Sequence, residues 1–148
     1  MFAFSNDRLI AGDGVYAAGF SAEAQIDRVV AFAIRRGLRE FAALVPDDGF
    51  GVRMSTILSD VVARRGAGVA ATAFYPGGVE ALTETVRTLA RYDERVEALK
   101  AERKLLGARD DAFSKRALER LSTRETLGEP GFEALMLPVG GEEVLQIA

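Results

Sequence analysis

The chain has 148 residues, 49% of them hydrophobic and 28% charged, with a formal net charge of −3. That is apolar material enough for one domain with a real core, and the overall charge gives no reason to expect nucleic acid or anionic lipid as a partner. Cysteine and histidine are both absent, which excludes disulfides, thiolate catalysis, Ser-His-Asp and Cys-His nucleophile systems and the common zinc constellations.

The opening MFAFSNDRLIAGDG lacks the basic region and long apolar stretch of a secretory signal peptide, and no apolar run approaches the length of a membrane span. Residues 2–4 read as a short strand closed by the turn-forming Ser5, Asn6 and Asp7. A strand with no lead-in fits a chain whose true N-terminus lies upstream. Gly12 and Gly14 mark a loop, and residues 15–20 read as a second short strand or an extended connection. The glycines at 12, 14 and 19 do not have GxGxxG spacing, and no GxxxxGK[ST] occurs, so no nucleotide cofactor is expected.

Ser21 is a good N-cap, with Glu23 in the first turn and Ile26, Val29, Val30, Ala33 and Ile34 along one stripe of a helix. Arg35, Arg36 and Gly37 suit its C-terminal end. Residues 41–45 are then a continuous apolar run of strand length, ended by Pro46. The lack of alternation points to burial on both faces, as in a parallel sheet. Asp47-Asp48-Gly49-Phe50-Gly51 leads into a second helix carrying Met54, Ile57, Leu58, Val61 and Val62 and closed by Arg64-Arg65-Gly66. The unit repeats as an apolar strand at 69–75, a turn at 76–78 and a helix at 79–91 with Leu82, Val86 and Leu89 inward. Helices alternating with strands predict βαβ units, hence a Rossmann-like α/β three-layer sandwich with a mainly parallel sheet.

The alternation breaks at 92–127, a stretch dense in charge. Val96, Leu99 and Leu106 are spaced for one helix and Phe113, Ala117, Leu118 and Leu121 for another, with the turn at 107–111 and Asp110 as N-cap. A helical hairpin inserted in the single α/β lobe is expected, against one long solvated helix. Arg116, Arg120 and Arg124 recur every four residues, but Glu119 and Glu125 interrupt them, and a solvated face accounts for the stripe. Strand structure returns at 132–139, and Gly140-Gly141 opens a final short helix.

Three strand ends thus carry small polar groups: Ser5 with Asn6, Asp47 with Asp48, and Gly140 with Gly141. Open α/β sheets place ligands at such ends, where backbone N–H groups can also meet an anion. The competing reading is local: aspartates cap helices, and the others form tight turns. No metal site and no catalytic acid–base pair is identified by the sequence.

The run FAALVPDDGFGVRMSTILSDVVARRGAGVAATAFYP resembles the core of the second lobe of type I periplasmic solute-binding proteins, with Asp47, Asp48, Phe50 and Gly51 carrying the signature. Residues 21–38 resemble the long helix entering that lobe, and FEALMLPVGGEEVLQIA resembles the strand and glycine turn at its cleft. FSNDR, PDDGFG and LPVGG in that order are most similar to the branched-chain amino-acid-binding and penicillin-binding-protein-activator branch. The resemblance covers the chain apart from 92–127. It implies a periplasmic, non-catalytic, two-lobed protein of more than twice this length, of which this chain is one truncated lobe. It further implies a small polar, amino-acid-like solute held near Ser5, Asn6, Asp47, Phe50, Gly140 and Gly141, and delivery to a membrane permease. The alternative function is a protein-interaction module acting on a cell-wall synthase through 92–127. A sheet cut short would expose an edge, so homo-oligomers are expected.

Overall fold

The computed structural model describes residues 2–3, 16–17, 21–77 and 79–138. The strands are β1 (Phe2–Ala3), β2 (Tyr16–Ala17), β3 (Glu40–Pro46), β4 (Gly68–Tyr75) and β5 (Ala134–Met136). The helices are α1 (Ala22–Arg35), α2 (Gly49–Arg64), α3 (Val79–Leu89), α4 (Tyr92–Gly107) and α5 (Ala112–Ser122). β1 and β2 form a two-residue parallel pair. The main sheet is open and all-parallel, in the order β4-β3-β5. The chain is therefore an α/β protein of the Rossmann-like sandwich class, as its alternating pattern predicts.

The apolar run of β3 explains its central place. Phe41 to Val45 are all buried, and their side chains alternate between two faces. Phe41, Ala43 and Val45 pack with Val30 and Ala33 of α1 and with Met54, Leu58, Val61 and Val62 of α2. Leu44 points the other way, into a smaller cluster with Tyr75 and with Leu82 of α3. One layer of helix therefore lies on each side of the sheet.

The strand at 69–75 differs from expectation in its burial. It alternates, with Thr72 and Phe74 exposed, and β4 is an edge strand of the sheet. A register irregularity between Phe41 and Ala42 puts the extra residue, Ala70, on β4. The strand expected over 132–139 is shorter, at Ala134–Met136. Just before it, the Glu133 carboxylate clasps the start of β3, accepting from the backbone N–H groups of Arg39 at 2.5 Å and Glu40 at 3.0 Å. Those two donors hold the Glu133 carboxyl below its ordinary range.

The stretch 92–127 holds the hairpin of α4 and α5. Arg91, at φ 50, turns the chain sharply between α3 and α4, and its guanidinium pairs with Glu94. Arg87 reinforces this corner by bonding Asp93 and stacking 4.7 Å from the Tyr92 ring centroid. Arg95 donates to the Thr126 hydroxyl and the Gly128 carbonyl, and Arg103 donates to the carbonyls of Leu121, Ser122 and Arg124, closing the hairpin. Two expectations are corrected here. Asp111, not Asp110, caps α5: it accepts from Ser114 N–H at 2.8 Å and from Ser114 Oγ at 2.7 Å, while Asp110 pairs with Lys115. The capped Ser114 is buried at 1% exposure, and Phe113 stands out at 73%. The inward stripe is Ser114, Ala117, Leu118 and Leu121, so three of the four expected positions face inward and Ser114 takes the place of Phe113.

Candidate functional site

The site is built where β3 ends. The Asp47 N–H donates to the Tyr75 carbonyl at 2.9 Å, carrying the strand ladder one step beyond Pro46. Asp48 is in extended conformation and its Oδ1 accepts from the Gly51 N–H at 2.8 Å, satisfying one of the donors that a helix start leaves orphaned. Gly51 is buried against the strand end, and a Cβ there would lie 1.9 Å from the Pro46 carbonyl oxygen. Only glycine lets α2 begin so close to β3. This turn leaves Phe50 44% exposed.

Phe50 forms part of the wall of an open groove of about 800 Å³. Ala22, Gln25, Ile26 and Val29 of α1 line it on one side, Met54 and Leu58 of α2 at its floor, and β5 with Leu137 and Pro138 on the other. Phe50 follows β3 and Leu137 and Pro138 follow β5, so the groove reaches the C-terminal end of the parallel sheet, where this architecture binds ligands. Among the described residues its lining holds no charged side chain, and Gln25 brings the one polar side chain. Such a surface can take apolar matter out of water and offers nothing to neutralise a charge.

Of the residues singled out from the sequence, the structure brings Phe50 to the groove and leaves Asp47 exposed outside its lining. Ser5, Asn6, Gly140 and Gly141 lie outside the described residues. The α1 contribution was not foreseen, although the sequence carried a signal for it. The stripe from Ile26 to Ile34 is wider than α2 covers, and Val29 is left 64% exposed. At the far side of the α1–α2 pair, Arg64 meets Glu23 at 3.0 Å and Arg65 grips Asp27 with two bonds. The Arg65 bonds hold the Asp27 carboxyl below its ordinary range.

Among the described residues there is no group of three or more acidic side chains placed to hold a metal ion, and no helix long and apolar enough to cross a membrane. Comparison with models of known families, with curated proteins and with solved structures finds no match for this chain.

Proposed function

We propose that this chain is a ligand-binding α/β lobe of the periplasmic solute-binding type, taking a small molecule at the C-terminal end of its sheet. The observation that carries the reading is the uncharged groove of about 800 Å³ beside Phe50, at the strand ends where open parallel sheets hold their ligands. The lining refines the expected solute. Ile26, Phe50, Met54 and Leu137 suit the aliphatic part of an amino-acid-like molecule, whose charged groups would be met outside this groove.

A groove that leaves much of a ligand in water gives weak binding. The test is therefore backbone and methyl chemical-shift perturbation of the full chain, titrated with aliphatic, acidic and basic amino acids. Shifts clustering at Ile26, Phe50 and Leu137 with aliphatic members, and lost in Phe50→Ser, are the expected result. No saturable shift at those positions with any member of the panel would refute the reading.

A further inference from the structure

The far end of the α4–α5 hairpin has a surface that the groove does not explain. An α-helix rises 1.5 Å per residue, so Gly107 stands about 18 Å beyond Arg95, the last point at which α4 bonds to the segment after Leu121–Arg124. Leu99, Leu106 and Ser114 are buried, giving the hairpin its own small interior. Two large apolar side chains are left out of it, one on each helix beside the turn. Leu105 is 61% exposed, and Phe113 is the most exposed large hydrophobic residue among those described. The exposure of Phe113 is built in, because the inward side of α5 runs through Leu121, Leu118, Ala117 and Ser114, whose N–H and hydroxyl both donate to the Asp111 carboxylate.

Cations flank this pair along the chain. Residues 104–116 hold Lys104, Arg109, Lys115 and Arg116 against Asp110 and Asp111, an excess of two positive charges on a chain whose net charge is −3. Both carboxylates have other tasks: Asp110 lies 2.6 Å from Lys115, and Asp111 caps α5. Lys104, Arg109 and Arg116 make no ion pair with any described residue. The base of α4 is balanced instead, with Asp93, Glu94 and Glu97 paired to Arg87, Arg91 and Lys100. The net charge of the whole chain does not show this local excess at the tip.

We propose that the hairpin tip docks on an anionic lipid surface, with Phe113 and Leu105 entering the headgroup layer and Lys104, Arg109 and Arg116 meeting lipid phosphates. Exposed apolar side chains ringed by cations are the combination that holds a segment at such an interface. A specific protein partner fits less well. A stable protein interface takes roughly 20–30 residues a side, and the tip is one narrow turn of two helices.

The chain contains no tryptophan, so Phe113→Trp creates a single clean reporter. The full chain is mixed at low salt with vesicles of phosphatidylcholine alone or of phosphatidylcholine and phosphatidylglycerol in equal parts. Co-sedimentation and a blue-shifted emission with the anionic vesicles only are expected. Each of Lys104→Gln, Arg109→Gln and Arg116→Gln should weaken binding about fivefold, the effect of one interfacial cation. The double variant Leu105→Ser, Phe113→Ser should abolish it while circular dichroism and the melting midpoint stay unchanged, since both positions are exposed. No binding to either vesicle, equal binding to both, or undiminished binding by the folded double variant would each overturn the proposal. So would an emission shift with polyglutamate and none with vesicles, which would assign the tip to an acidic protein partner.

Discussion

Around β3, five consecutive apolar residues from Phe41 to Val45 disappear between two layers of helix. In the α4–α5 hairpin, by contrast, Leu99 and Leu106 supply most of the buried apolar surface, and arginines bonded to carbonyls do the rest. The first region is held by continuous burial, which scales with area and needs little geometric detail. The second depends on a few directional bonds, whose net worth is small once competition with water is counted. The difference teaches that the hairpin should open more readily than the sheet and be more tolerant of change on its outer surface.

The sharpest way to break that comparison is a matched pair of leucine truncations. Leu58 and Leu99 are buried to nearly the same degree. Leu58→Ala should lower global stability by about 2–5 kcal/mol, read as a shifted denaturant midpoint. Leu99→Ala should instead speed hydrogen exchange within α4 and α5 and move the global midpoint less. Equal midpoint shifts would show the two regions to be one cooperative unit.

A smaller effect is expected at the start of α2. Gly51→Ala forces a Cβ against the Pro46 carbonyl and should destabilise the fold by about 1–3 kcal/mol, in the range of overpacked cores. Because the same turn presents Phe50, the variant should also weaken any ligand response in the groove. Unchanged stability would mean that α2 can back away from β3 without loss.

The two helix caps extend the contrast. Asp48→Ala should lower stability by about 1 kcal/mol. Asp111→Ala removes the acceptor of the buried Ser114 hydroxyl as well as the cap, so α5 should lose exchange protection along its first turn while β3 keeps its own. Spread of that loss into the sheet would contradict a separately closing hairpin.

The smallest effect concerns pH at the joint between the regions, where Glu133 clasps the start of β3. Its carboxyl is held below the ordinary value of 4.5, so its contribution is complete above that value and disappears as pH falls through the lower folded-state value. Glu133→Gln retains an acceptor but does not titrate, and should flatten this part of the acid-side decline in stability. An unaltered slope in stability-versus-pH measurements would place the acid sensitivity elsewhere, with Asp27 and Asp111, both also held low, as the next positions to test.

Much of the fold was legible because strong local signals agreed with it. Ser21 caps α1 by accepting from the Ala24 N–H, and Gly37 and Gly66 take the left-handed conformation after α1 and α2. The candidate site was less legible. Of Asp47 and Asp48, identical in type, adjacent and both exposed, only Asp48 caps α2, a distinction that depends on backbone angles at the strand end. Phe113 was misplaced because the stripe through Ala117, Leu118 and Leu121 continues to position 114 and not 113, and position 114 holds a serine whose hydroxyl is satisfied by Asp111.

By itself the sequence determined the α/β class and the central position of β3, since a run of apolar side chains on both faces of a strand is stable only inside a sheet covered on both sides. It determined as well the absence of cysteine and histidine chemistry. Tertiary structure alone decided that Ile26, Phe50 and Leu137, far apart in the chain, share one groove, and that Leu105 and Phe113 are both left exposed at the end of the hairpin. The physical reason is common to both: propensity and pattern specify which elements form, whereas surfaces belong to no single element and arise only when the elements pack.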